Sequence, residues 1–419
     1  MTDRVAIVGA GWAGLACAVE LAAAGIAIDV FEASRTLGGR ARAIELDGLN
    51  ADNGAHILVG AYGETLRLMR KVGVGDTACK RLPLHLEFPG AFRLAAPALP
   101  LPAALSLGWA LATAKGLSWH DKLAALRFFA ALEKIHFRLP RDYPAGRLIA
   151  SQPPVLRRFL WGPLCVAALN TPIAEASAQV FLNVLRDTLA AGRGSAELLL
   201  PATDLSNLFP EPAARFIAAR GGNVFRKTRV SDLAALSGYA HCVLAVAPWH
   251  LPRLAPEIPL PPMIWQPIAT IYLRYPETVS LRFPLLGLSN GHGQWVFDRG
   301  QLTGEKGLLA VVISGAGPWQ ALDHQQLGWA VHRQLAPLLP ALTLPKRIRV
   351  IEEKRATFAC TPGLQRPTTA TRHPRLWLAG DYVAGEYPAT LEGAVRSGVA
   401  AAREILKGFR STSPALAPS

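Results

Sequence analysis

The amino-terminal fifty residues constrain this chain more than any other segment. An apolar β-run, Val5 to Val8, leads into Gly9, Gly11 and Gly14; a helical stretch reaches about Gly25, and a second β-run, Ile26 to Phe31, ends at Glu32. Gly9 permits a tight strand-to-helix turn, Gly11 lets backbone approach a pyrophosphate, and Gly14 lets helix pack closely on strand. The helix N-terminus then faces the phosphate charge. Glu32 stands 21 residues past Gly11, the reach needed to accept hydrogen bonds from an adenosine ribose, and Ala33 follows it into the same site. Glycine-rich turns also serve packing alone. Here strand, helix, strand and terminal acid occur in order, which points to a dinucleotide-type cofactor.

The next loop adds Gly38, Gly39, Arg40 and Arg42. A guanidinium offers a fixed fork of donors, suited to a pyrophosphate approached from its other side. Plain NAD dehydrogenases do not need this element. The order GxGxxG, Glu, GGR resembles the flavin amine oxidase and carotenoid desaturase superfamily, and LWLAGDYVAGEYPATLEGAVRSGVAAAREIL near the C-terminus resembles its closing signature. The resemblance implies non-covalent FAD, with Gly380-Asp381 at the ribityl-phosphate region and backbone at Val230 against the adenine. It also implies a final helix, starting near Thr390, aimed at the flavin. Thr390 can cap that helix, whose N–H groups and dipole would stabilise negative charge on reduced flavin.

Because the signatures lie at both ends, the cofactor domain must be discontinuous. The expected fold class is α/β: a doubly wound, Rossmann-like FAD-binding domain from residues 1–85, 195–255 and 345–419. A second, mixed α+β domain from 86–194 and 256–344 would face substrate and membrane. Asn223-Val224 and Thr228 to Val230 read as a strand pair, and His241 to Ala247 as a buried parallel strand. The tail from Ser411 to Ser419 reads as disordered.

Composition narrows the partners. Five scattered cysteines, with no CxxC and no Cys/His cluster, argue against a disulfide framework or a metal site and fit a reducing, cytoplasmic compartment. The glycine fingerprint accounts for the apolar N-terminus better than an export signal does. A formal charge of +14 comes without any nucleic-acid recognition motif. The basic excess is local: residues 115–158 carry nine Lys/Arg against three acids, interleaved with Trp119, Phe128, Phe129, Phe137 and Tyr143. That mixture suits an anionic membrane surface, bound peripherally on the inner face; a solvated helical face is the alternative.

Three uncharged stretches, Leu94 to Ala114, Phe159 to Ala174 and Ile258 to Leu273, are each broken by proline. The only clean helix in the first, Ala103 to Ala114, would rise roughly 18 Å, short of the about 30 Å of a hydrocarbon core. They read either as ordinary core or as the walls of an apolar tunnel. Asp52, Asn53 and His56 of the DNGAH segment are the polar groups expected at the flavin, and His56 is the candidate catalytic residue. Within the superfamily, DNGAHILVGAYGETLRLM, FLWGPLCVAALNTPIAEASAQVF, LLLPATDLSNLFPEPA and GDYVAGEYPATLEGAVRSG resemble the hydroxysqualene dehydroxylases of bacterial hopanoid pathways. That resemblance implies reductive removal of a hydroxyl from a long isoprenoid, with electrons from an unidentified donor. A carotenoid desaturase, an amine oxidase and a non-catalytic lipid carrier are the alternatives.

Overall fold

The computed structural model describes residues 2–46, 48–99, 101, 103–192, 194–340 and 343–412. Its first layer is a parallel five-stranded sheet in the order Asn223–Phe225, Ile28–Phe31, Thr2–Val8, Tyr239–Leu244, Leu376–Leu378. Val5 to Val8 pair in register with Ile28 to Phe31 on one side and His241 to Leu244 on the other. The helix Trp12–Ala23 buries nearly every side chain, because the sheet covers one face and the C-terminal helix Leu391–Thr412 the other. At Gly14 a Cβ would stand 2.0 Å from the Gly9 carbonyl oxygen, so only glycine allows this strand-to-helix contact.

A second sheet of five antiparallel strands runs Leu285–Gly287, Trp295–Asp298, Leu308–Ser314, Trp265–Arg274, Arg347–Phe358. Side chains alternate across its faces with period two. Ala269, Ile271, Leu273, Val311 and Ile313 pack in a core with Leu327, Val331 and Leu335 of helix His324–Leu335. Ile268, Thr270 and Val312 face the other way, into a cavity shared with the parallel sheet. Helix Gly162–Leu169 adds Ala167 and Ala168 to its wall, and helices Ala103–Ala112, Trp119–Lys134 and Ala178–Leu185 pack beyond it around a second, adjoining cavity.

Several local expectations change. Residues 347–358 pair with Trp265–Arg274 in the antiparallel sheet rather than with the cofactor strands. The strand pair expected up to Val230 is one strand, Asn223–Phe225. Lys227 takes a φ of +55°, which ends the extended run, and the Thr228 amide then donates to the Glu32 carbonyl, holding the chain beside the end of strand Ile28–Phe31. The second strand starts at Ile28 instead of Ile26, because Gly25 (φ +79°) and the Ile26 amide, donating to the Leu21 carbonyl, still belong to the helix C-terminus. The last helix runs through Thr412, two residues into the tail expected to be disordered; residues 413–419 lie outside the described residues.

Candidate active site

Where the C-terminal ends of the parallel strands meet the inner face of the antiparallel sheet, the chain encloses a cavity of about 620 Å³. Its wall brings together Gly9, Gly11, Glu32, Ala33, Gly39, Arg40, His56, Val230, Gly380, Asp381 and Thr390. Gly14 stands one turn behind this wall and acts through packing. The two glycine loops are fastened to each other: the Gly38 amide donates to the Ala10 carbonyl (2.9 Å), and Trp12 Nε1 donates to the Ala41 carbonyl (2.9 Å). Glu32 is held at the end of its strand by the Ala10 and Ser34 amides, both 2.8 Å from its carboxylate oxygens. Arg40 donates to Asp381 Oδ1 at 2.5 Å and to the Ala356 carbonyl at 2.5 Å, joining the second glycine loop to the Gly380-Asp381 turn.

Thr390 caps the last helix: its Oγ1 accepts the Gly393 amide at 3.1 Å, and the free N–H groups of that turn begin at the cavity wall. The carboxylate of Glu392, fully buried, accepts from the Thr65 amide and hydroxyl (2.9 and 2.7 Å) and from Arg396. It clamps helix Gly63–Lys71 to this turn.

The DNGAH segment divides. His56 lines the cavity, with Nδ1 2.8 Å from the Gly54 carbonyl, so Nδ1 carries the proton and Nε2 is the acceptor. Desolvation lowers its pKa, opposed by the Gly54 contact and aided by Arg40, so the ring is neutral near pH 7 and is no ready proton donor. Asn53 reaches the wall and donates to the Arg40 carbonyl at 2.9 Å. Asp52, expected at the flavin, turns away. It is 2% exposed, accepts the Leu205 amide at 2.8 Å and stands 3.4 Å from Arg299, with burial pushing its pKa up to about 6. Sequence gave no sign of Arg299, which lies 247 residues away.

A second cavity of about 180 Å³ adjoins the first, sharing Ile57, Tyr62, Ala167, Ala168, Trp295 and Thr390 with it. Two of the three apolar stretches line it, through Leu94, Leu107 and Leu111 and through Leu160, Trp161 and Leu164. The third does not. Most of it is the strand Trp265–Arg274, and it gives Ile268 and Thr270 to the larger cavity. Helices Ala103–Ala112 and Trp119–Lys134 turn Leu107, Leu111, Ala125 and Phe129 inward while leaving Leu105, Trp109, Trp119, Leu123 and Leu126 exposed. Sequence reasoning passed over Asn170, Thr270, Glu353, Arg229 and Arg253, which also line the larger cavity. Only Asn170 carried a local signal, since Asn is among the few side chains that enter left-handed backbone; it ends its helix at φ +45°.

The flavin containing amine oxidoreductase family matches residues 12–406. The chain belongs to that family. It is 30% identical to the hydroxysqualene dehydroxylase of Rhodopseudomonas palustris over 98% of its own length and all of the relative's. It is 25% identical to the 15-cis-phytoene desaturase of Synechococcus elongatus, covering 96% of each chain. The solved cyclohexylamine oxidase of Brevibacterium oxydans superposes with a TM-score of 0.68 at 17% identity, over 98% of this chain and all of that one, and so shares the fold. As a member of the family the chain is an FAD-dependent oxidoreductase. The cavity fits such a group. Among the described residues, four buried side-chain polar atoms have no hydrogen-bond partner, and three of them, Asn170 Oδ1, Thr270 Oγ1 and Tyr382 Oη, belong to residues of this wall.

Proposed function

We propose that the chain removes the hydroxyl of hydroxysqualene reductively, giving squalene. The observation that carries this reading is the junction: an almost wholly apolar cavity meets the cofactor cavity at the N-terminus of the helix capped by Thr390. A C30 hydrocarbon chain suits such walls, and an amine does not. FAD would be held without a covalent link by the Gly9 and Gly11 loop at its pyrophosphate, Glu32 and Ala33 at the ribose, and Val230 at the adenine. Gly39, Arg40, Gly380 and Asp381 would hold the remaining phosphate and ribityl portion. Among the described residues no cysteine lines the cavity. When bound in its reduced form, FAD supplies hydride. The chain's own residues orient the carbinol, keep water out, and place helix N–H groups where negative charge falls. The hydroxyl takes one solvent-derived proton and departs as water, and the neighbouring alkene delocalises the positive charge left on carbon until hydride reaches it, so one alcohol, one hydride and one proton give one squalene and one water. His56, neutral and fixed through Gly54, serves as an acceptor beside the reacting centre.

Substrate entry follows from the same geometry. Among the described residues no helix is long and apolar enough to cross a membrane. The outer faces of Ala103–Ala112 and Trp119–Lys134 expose Trp119 (78%), Leu105 (62%) and Trp109 (56%), and Lys122 stacks over the Trp119 ring at 4.7 Å. Aromatic and aliphatic groups beside cations suit the headgroup region of an anionic bilayer, on which these two helices would rest, passing a lipid-dissolved substrate inward to Leu107 and Leu111. Incubating purified holoenzyme with hydroxysqualene, phytoene or a primary amine, each with and without dithionite, tests the reading. Squalene formed only from hydroxysqualene and only with reductant is the expected result. Desaturated phytoene, or an aldehyde from the amine, would replace it.

A further inference from the structure

Six residues line both cavities: Ile57, Tyr62, Ala167, Ala168, Trp295 and Thr390. With FAD in the larger cavity and hydrocarbon in the smaller, the reacting carbinol must lie where the two meet. Only Tyr62, Trp295 and Thr390 of the six carry a polar side-chain atom. Thr390 Oγ1 is occupied by the Gly393 amide at 3.1 Å, and Trp295 is 7% exposed with its ring packed on Phe88, centroids 5.7 Å apart. Tyr62 is different. Desolvation raises the pKa of its phenol above the ordinary value, so the oxygen lies deep in the protein. The residue is nevertheless only half-buried, so the surface it keeps is cavity surface. Its Oη is also not among the four sealed polar atoms that lack a partner. The Thr390 side chain is its hydrogen-bond partner, and Tyr62 precedes helix Gly63–Lys71, which Glu392 clamps to the Thr390 turn. The Thr390 proton reaches the Pro388 carbonyl only at 3.4 Å, so Thr390 can donate to Tyr62 Oη and leave the phenolic proton for another acceptor. Tyr387 gives the contrast. Its ring stands 6.5 Å from that of Tyr62, but its hydroxyl is committed to Asp187 at 2.6 Å.

We infer that Tyr62 holds the substrate's hydroxyl, its phenolic O–H donating to the carbinol oxygen at the junction of the two cavities. This rests on the dehydroxylase reading. Burial keeps the phenol protonated, so Tyr62 acts by hydrogen bonding, and the proton that departs with the hydroxyl is still solvent-derived. Donation to the oxygen places the C–O bond at the Thr390 turn, where the last helix begins. Squalene offers Tyr62 no acceptor, so the contact that favours substrate on entry is gone when product leaves.

The test measures binding to oxidised holoenzyme, which cannot turn over, by perturbation of the flavin spectrum. The ligands are hydroxysqualene, squalene and the ketone corresponding to hydroxysqualene, whose oxygen can only accept. Wild type should bind alcohol and ketone more tightly than squalene; a ketone bound no better than squalene would overturn the inference without any variant. Tyr62→Phe, which removes one oxygen and keeps the ring, should cut the preference for alcohol over squalene about 10-fold, with squalene binding within twofold of wild type. Tyr387→Phe removes the same atom from the neighbouring ring and should leave that preference within twofold. An unchanged preference in Tyr62→Phe, or an equal loss in Tyr387→Phe, would overturn the assignment even if reduced wild-type enzyme makes squalene. Failure of reduced wild type to make squalene would instead remove the reaction, and the assignment with it.

Discussion

Two glycines in one helix should respond to the same substitution with opposite signs. In Leu391–Thr412, a Cβ at Gly398 would lie 2.0 Å from the Ala13 carbonyl oxygen and 3.1 Å from the Cys17 amide nitrogen, at the crossing with helix Trp12–Ala23. Both partners are backbone, so the helices must part by roughly 1 Å, loosening Val395, Val399 and Ala402, each at most 1% exposed. Overpacking of that kind costs about 1–3 kcal/mol. At Gly408 a Cβ meets nothing within 4 Å, and Gly→Ala inside a helix gains about 0.5–1 kcal/mol. For a chain of this size unfolding as one unit, 1 kcal/mol moves Tm by only about 1 °C. Calorimetry of the holoenzymes should therefore show Gly398→Ala lower by about 1–3 °C and Gly408→Ala unchanged or slightly higher. Gly398→Ala should also weaken FAD binding, because the Gly9–Gly14 loop and the Thr390 turn are carried by the two helices being separated. Equal Tm shifts, or an unaltered FAD dissociation constant in Gly398→Ala, would refute the reasoning.

Other expectations come from single groups. The Asp52 carboxyl is raised in the fold to about 6 from an ordinary value near 3.8, so its favourable protonated form is fully present below about pH 4. Stability should fall by up to about 3 kcal/mol as pH rises from 4 through 6. Subtracting an Asp52→Asn titration from wild type isolates this fall; a flat difference would remove Asp52 as its source. Glu32→Ala should raise the FAD dissociation constant at least 10-fold by fluorescence titration, and an unchanged value would take Glu32 out of the ribose site. Thr390→Val removes the cap and should shift the flavin midpoint potential negative by about 10–20 mV, since reduced flavin loses helix-dipole support; a positive shift would contradict it. Sedimentation with phosphatidylserine vesicles should weaken on adding salt and on Trp119→Ser, and salt-insensitive binding would favour a solvated role for that face.

What could be read in advance was what the chain determines locally. Gly9, Gly11 and Glu32 are fixed by a strand–turn–helix that spans fewer than thirty residues, and the turn dictates the residue types. Near the C-terminus the residues alone indicate an apolar strand, a loop and a helix that Thr390 can cap; the places of Gly380-Asp381 and of that helix at the cofactor come from the resemblance to the superfamily. The pairing of Arg347–Phe358 with Trp265–Arg274 joins segments about eighty residues apart. No propensity announces such a partner. Asp52 belonged to the same problem: alternation along Leu49–Asp52 does not say which face Arg299 will occupy. Asn170 and Thr270 looked like a helix end and a strand interior, and only burial shows which of their hydrogen bonds are missing.

The direction of electron flow distinguishes a dehydroxylase from every oxidase or desaturase on this fold. The most direct measurement is an anaerobic single turnover. Holoenzyme is reduced stoichiometrically with dithionite, freed of excess reductant, mixed with hydroxysqualene, and followed by flavin absorbance while products are extracted. The account predicts return of the oxidised spectrum with one squalene formed per flavin. A flavin that stays reduced with hydroxysqualene, together with oxidised enzyme that bleaches on adding phytoene, would contradict it.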